Sequence, residues 1–154
     1  MELKTFKRRV EVLLRDGVRL EGCFFVAATS PFHDGPQSLA ELLNSGRRFL
    51  PLELDSGDVI LLSRNGLSRV SCQAEENQGQ NLSGPRLPAE VHFQGGETLQ
   101  GTVLQDLPEE YPRLSDCLNI GPQFFLLEKA GRHHLVNSEA ALWVGTGRER
   151  PPFG

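Results

Sequence analysis

One frame of residues occurs twice in this chain, and it constrains the fold more than any bulk property. Leu39 to Glu53 and Leu114 to Glu128 share the pattern Leu-x-x-(apolar)-Leu-Asn-x-Gly-x-x-Phe-(apolar)-x-Leu-Glu. Fifteen positions in the same order read as a tandem repeat, so the 154 residues divide into two small units that each carry the frame once. The expected division is 1–72 for the first unit, 73–88 for a linker rich in Gln, Asn, Gly and Pro, 89–145 for the second unit and 146–154 for a flexible tail.

Around the frame, the first unit reads as strands joined by tight turns. Val10, Val12 and Leu14 alternate, which is the period of a half-buried strand. Asp16-Gly17 supplies the left-handed backbone of a hairpin turn, and Arg19 to Ala27 forms the return strand with Leu20 and Phe24 inward. Gly22 inside that strand marks a bend or bulge. Ser38 followed by Glu41 forms a capping box ahead of Leu39, Leu42 and Leu43, the i, i+3, i+4 spacing of a short helix. Asn44 and Gly46 end it. Strands are expected over Phe49 to Leu54, with Phe49 and Leu52 buried, and over Val59 to Ser63. Arg64-Asn65-Gly66 then reads as a tight hairpin turn into Leu67 to Cys72.

The second unit repeats this order. Val91 and Phe93 lie on a strand, Gly95-Gly96 forms the turn, and Leu99 to Val103 is the return strand. A loop covers Pro108 to Pro112, and Leu114, Cys117 and Leu118 form the helix. Strands follow at Phe124 to Leu127, His134 to Val136 and Leu142 to Val144. The predicted fold class is therefore mainly β: two tandem small five-stranded SH3-like or Sm-like barrels, each with one short inserted helix. A unit of this size has a marginal core alone, which favours packing of the two units against each other.

Val10 to Gly22, a strand, a Gly turn and an apolar-x-Gly bend, resembles the first motif of Sm-like proteins. In that family a Met-Asn pair after the second Gly contacts RNA bases. Phe24 to Asp34 contains no such pair, so the resemblance implies a fold but not the RNA contacts. The helix-Asn-x-Gly-x-x-Phe frame also resembles a group of uncharacterised bacterial proteins, which implies no activity.

Charge and cysteine content narrow the function classes. The net charge is −4, against a dedicated nucleic-acid or membrane-surface binder. Residues 1–72 hold ten Lys/Arg and nine Asp/Glu; residues 73–154 hold six and eleven. Cys23, Cys72 and Cys117 have no metal or redox spacing and read as free thiols, Cys23 and Cys117 as buried ones. With no apolar leader at the N-terminus and no apolar run long enough to span a bilayer, the expectation is a cytoplasmic protein without membrane contact.

No constellation of residues has the pattern of an active site, and no cofactor or metal is expected. His133-His134 would point to opposite faces of a strand and is read as exposed. Ser30, His33 and Asp34 share a loop but lack the context of a catalytic triad. The candidate ligand- or anion-binding residues are Asn44, Arg47, Arg48 and Arg64; the candidate partner contacts are Phe32, Arg8 and Arg9. The expected function is a non-enzymatic interaction or scaffold module that presents sheet edges and loops to a protein partner or to itself. The alternatives are RNA binding through a basic surface of Arg8, Arg9, Arg15, Arg19, Arg47, Arg48 and Arg64, and sensing of a small anionic ligand between the units.

Overall fold

The computed structural model describes residues 4–78, 84, 86–104 and 113–146. The expected loop at 108–112 and, of the expected tail at 146–154, residues 147–154 lie outside them. The chain forms β1 (Thr5–Leu14), β2 (Arg19–Ala27), α1 (Leu39–Leu43), β3 (Phe49–Leu54), β4 (Val59–Ser63) and β5 (Leu67–Gln73). It then forms β6 (Arg86–Phe93), β7 (Thr98–Leu104), α2 (Leu114–Ile120), β8 (Phe124–Lys129), β9 (Arg132–Asn137) and β10 (Ala141–Gly145). The order strand, strand, helix, strand, strand, strand therefore occurs twice. No helix among the described residues is long and apolar enough to cross a membrane.

The ten strands make one open antiparallel sheet in the order β10-β6-β7-β8-β9-β5-β1-β2-β3-β4. The chain is mainly β, as expected, but the sheet is open and does not close into the two tandem barrels expected. The seam between the halves is itself a strand pair: β5 of the first half pairs with β9 of the second, Arg69 opposite Val136 through Gln73 opposite Arg132. Because β5 is drawn to β1 and β9, it does not pair with β4. Arg64-Asn65-Gly66 is accordingly a single 3-10 turn that carries the chain away from β4, and not the expected hairpin turn. The expected linker is also partly structured. Gln73 closes β5, Ala74–Asn77 forms a 3-10 turn with Asn77 buried, and Arg86 to Pro88 opens β6.

Local chemistry explains the elements that match expectation. The Ser38 side chain accepts from Glu41 N and the Glu41 carboxylate accepts from Ser38 N, so the capping box starts α1 as read. Asp16-Gly17 turns β1 into β2, with Gly17 at φ 91°. Phe24 is fully buried. Gly22 does not mark a bulge, since the β1–β2 register runs unbroken through it. It is instead where β2 and β3 approach too closely for a side chain: a Cβ there would meet the carbonyl oxygen of Glu53. Gly101 on β7 faces Glu128 and Leu127 in the same way.

The core has two parts, and the seam is where they meet. Ala89, Val91, Phe93, Leu99, Val103, Phe125, Leu127 and Val136 pack together within the second half. The larger cluster combines Val10, Val12, Phe24, Leu39, Leu42, Leu43, Leu50, Leu52, Leu67 and Val70 of the first half with Leu104, Phe124, Leu126 and Leu135 of the second. Strands β8 and β9 are thus buried on both faces, with alternate residues going to each cluster. Gly22→Ala and Gly101→Ala are each expected to lower unfolding stability by about 1–3 kcal/mol, because the neighbouring strand must move aside. Chemical denaturation checks this; unchanged midpoints in both variants would contradict the close approach.

Candidate functional site: two free sheet edges and an apolar groove

The sheet ends at β4 on one side and β10 on the other, and both edges lack the usual guards. Natural edge strands carry charges or proline that discourage pairing with another chain. Val59-Ile60-Leu61-Leu62-Ser63 and Ala141-Leu142-Trp143-Val144-Gly145 contain neither. Their outward side chains are apolar and open to solvent: Leu61 is 67% exposed, Leu142 64% and Trp143 55%. Trp143 stacks flat on His92 of β6, which fixes its ring along the edge. Beside β10 lies an apolar groove of about 470 Å³. Leu114 and Leu118 of α2 form one wall, Ala141 to Val144 of β10 the other, and Phe125 lies between.

The seam inside the chain shows what such an edge does when it is occupied. Strand pairing is reinforced by a side-chain clamp. Asn44, at the C-terminus of α1, donates Nδ2–H to the Phe124 carbonyl at 3.0 Å and accepts from Phe124 N at 2.9 Å. Asn137 donates to the Leu67 carbonyl at 2.8 Å. Arg64 donates to the Gln123 side chain at 2.7 Å and to the carbonyl oxygen of Arg47 at 3.0 Å. Arg19 of the first half also pairs with Glu97 of the second at 2.9 Å.

The candidate ligand residues are therefore divided. Both polar atoms of the Asn44 amide are engaged by Phe124, and Arg64 is bound to carbonyl oxygens. Arg47 and Arg48 are exposed and make no ion pair among the described residues. Of the partner candidates, Arg9 is held by Asp55 and Glu21, and Arg8 lies over the Phe6 ring. Phe32 is 81% exposed at the tip of the loop before α1. Of the remaining basic residues, Arg19 is paired to Glu97 and Arg15 donates to the Asn65 carbonyl. The proposed basic surface is thus largely tied into the fold.

The loop groups do not assemble into a triad. Ser30 donates to Glu41 at 2.8 Å, and His33 Nε2 contacts the other oxygen of the same carboxylate. Bonding of His33 to the Asp34 carbonyl and to Glu41 raises its pKa. Burial works to raise the Glu41 pKa, but hydrogen bonds from Ser30, His33 and Ser38 outweigh it and hold the carboxylate low. The loop bearing Phe32 is thereby pinned to α1.

His133 and His134 are buried, not exposed, because β9 is an interior strand with the first half against it. Ser71 Oγ lies 2.7 Å from His134 Nδ1, and Asn77 Nδ2 3.2 Å from His133 Nδ1. Burial, with the cations of Arg69, Arg132 and Lys129 adding to it, pushes the His134 pKa down to about 4. Burial also lowers His133. Among the described residues no group of three or more His, Cys, Asp or Glu is placed to hold a metal. All three cysteines are free; Cys72 and Cys117 are buried and Cys23 is half-buried, and burial pushes the Cys72 thiol up to about 12. The residues that reading the sequence missed are Leu61, Leu142 and Trp143. Their signal was present as two strand-length apolar runs without charge or proline.

The chain matches no protein-family model, no curated protein and no solved structure.

A histidine kept neutral in the fold binds protons more readily when unfolded. Its contribution is complete above pH 6.5 and is lost as pH falls towards about 4. Stability is expected to decline across that window, with His134 responsible for as much as about 3 kcal/mol. Denaturation at several pH values checks this: His134→Gln should flatten the decline, and an unchanged slope would contradict it.

Proposed function

We propose that this chain is a non-enzymatic interaction module, built from two copies of one small β unit, that presents its sheet edges and loops to protein partners or to copies of itself in the cytoplasm. The observation that carries the reading is the pair of uncharged, apolar, unpaired edges, β4 and β10, in a chain whose own halves are joined by edge pairing. An exposed edge of this kind adds strands from another chain through its free N–H and C=O groups, with apolar side chains adding affinity. The pinned loop presents Phe32 as a second, smaller contact. The non-enzymatic part of the reading is supported by where the candidate groups are engaged: Ser30 and His33 each bond Glu41, and the buried histidines bond Ser71 and Asn77.

RNA binding is the second reading, favoured only by the exposed Arg47 and Arg48, which make no ion pair among the described residues. One experiment separates the two. Light scattering gives the mass of the wild type and of the Leu61→Lys/Leu142→Lys double variant, and anisotropy of a labelled single-stranded RNA is read on the same samples at low and physiological salt. The edge reading expects a wild-type mass above 17.1 kDa that returns to 17.1 kDa in the variant, with no RNA binding. A wild type of 17.1 kDa at its highest soluble concentration would overturn it, together with RNA binding that weakens with salt and in Arg47→Ala/Arg48→Ala.

A further inference from the structure

We infer that the partner of these edges is a second copy of this chain, docked head to tail, with β4 of one copy pairing to β10 of the next and the outer face of β3–β4 closing the groove beside α2. This docking presupposes that the edges take a partner, as proposed above, and adds which partner and in which register.

The template lies inside the chain. Aligning the two occurrences of the frame sets β3 and β4 against β8 and β9, and β5 against β10. Phe124, Leu126 and Leu135, on the outer face of β8–β9, are buried against the first half. Their counterparts are Phe49, Pro51 and Leu61. Phe49, expected to be buried, is 51% exposed, and Leu61 is more exposed still. A face that is covered in one half is thus bare in the other.

The receiving surface shows the same asymmetry. In the first half, α1 and β5 bury Leu39, Leu43 and Val70 against β8 and β9. Their counterparts Leu114, Leu118 and Val144 are only partly buried and border the open groove. Asn44 clamps Phe124, whereas its counterpart Asn119 merely bonds the Ser115 carbonyl of its own helix at 2.8 Å. Each half therefore offers a donor surface and a receiving surface, and the seam uses one of each. The unused pair sits at opposite ends of the molecule.

Transferring the seam's register gives a specific contact. Val70 opposite Leu135 becomes Val144 opposite Leu61 of the second copy. Asn119 takes the Asn44 role and exchanges its helical bond for the backbone of Phe49. Leu142 takes the place of Ser68, which is buried at the seam. The contact is heterologous, since different surfaces meet, so each added copy leaves one free edge of each kind until a ring closes.

The test uses the full chain and two single variants at exposed positions, Leu61→Lys to block β4 and Leu142→Lys to block β10. Wild type should show a mass that rises with concentration. Each variant alone should stay at 17.1 kDa, because it keeps one of the two surfaces and lacks the other. Mixed in equal amounts they should form a dimer that grows no further, one intact β10 receiving one intact β4. Asn119→Ala should weaken wild-type association at least tenfold without changing the melting temperature of the dilute protein. A monomeric wild type overturns the inference and leaves the edges to a different protein partner. Association of either single variant with itself, or no dimer in the mixture, overturns head-to-tail docking and leaves edge presentation standing. An Asn119→Ala variant that associates like wild type also counts against the assigned contact.

Discussion

The structure depends on one strand pair, β5 with β9. Without it the chain would be two small five-stranded pieces, each too small to bury much surface. With it, β8 and β9 become interior strands, and Phe124, Leu126 and Leu135 join the largest apolar cluster. Strand pairing fixes the register, the Asn44 clamp on Phe124 ties α1 to it, and the neutral histidines of β9 occupy the buried interval beside Ser71 and Asn77. Removing the Asn44 amide or the Ser71 hydroxyl takes a hydrogen-bond partner from a buried group, which costs more than the bond itself contributes.

The same pairing creates the functional question. It uses the fifth strand of the first half and the fourth strand of the second. That choice is asymmetric, so the fourth strand of the first half and the fifth of the second remain as edges. An isologous arrangement would have matched like with like and left like edges outside. Neither remaining edge carries a charge or a proline, and their large side chains stand in solvent.

Much of the local structure was legible in the sequence because it is decided locally. The capping box at Ser38 and Glu41 and the Asp16-Gly17 turn act within a few residues, and they stand where expected. What was not legible depends on the partner of each strand. Phe49 and Phe124 hold the same place in the same frame, yet one is exposed and the other buried, because only Phe124 has the first half packed over it. The histidines of β9 look like ordinary strand residues until the strand becomes interior. Arg64-Asn65-Gly66 has the composition of a hairpin turn, but the strand it leads into pairs elsewhere. In the candidate site, Asn44 was legible as a distinctive position, and its role as a clamp was not, since its partner lies 80 residues away.

Backbone hydrogen exchange, measured across a range of protein concentrations, tests the central claim most directly. It reads the edge strands themselves, with no substitution needed. If β4 and β10 are the surfaces that take another copy, protection of segments 59–63 and 141–145 rises with concentration. Protection of β5 and β9, already paired inside one chain, stays constant. Protection of β4 and β10 that is the same at every concentration, or that rises in other segments instead, would contradict the account.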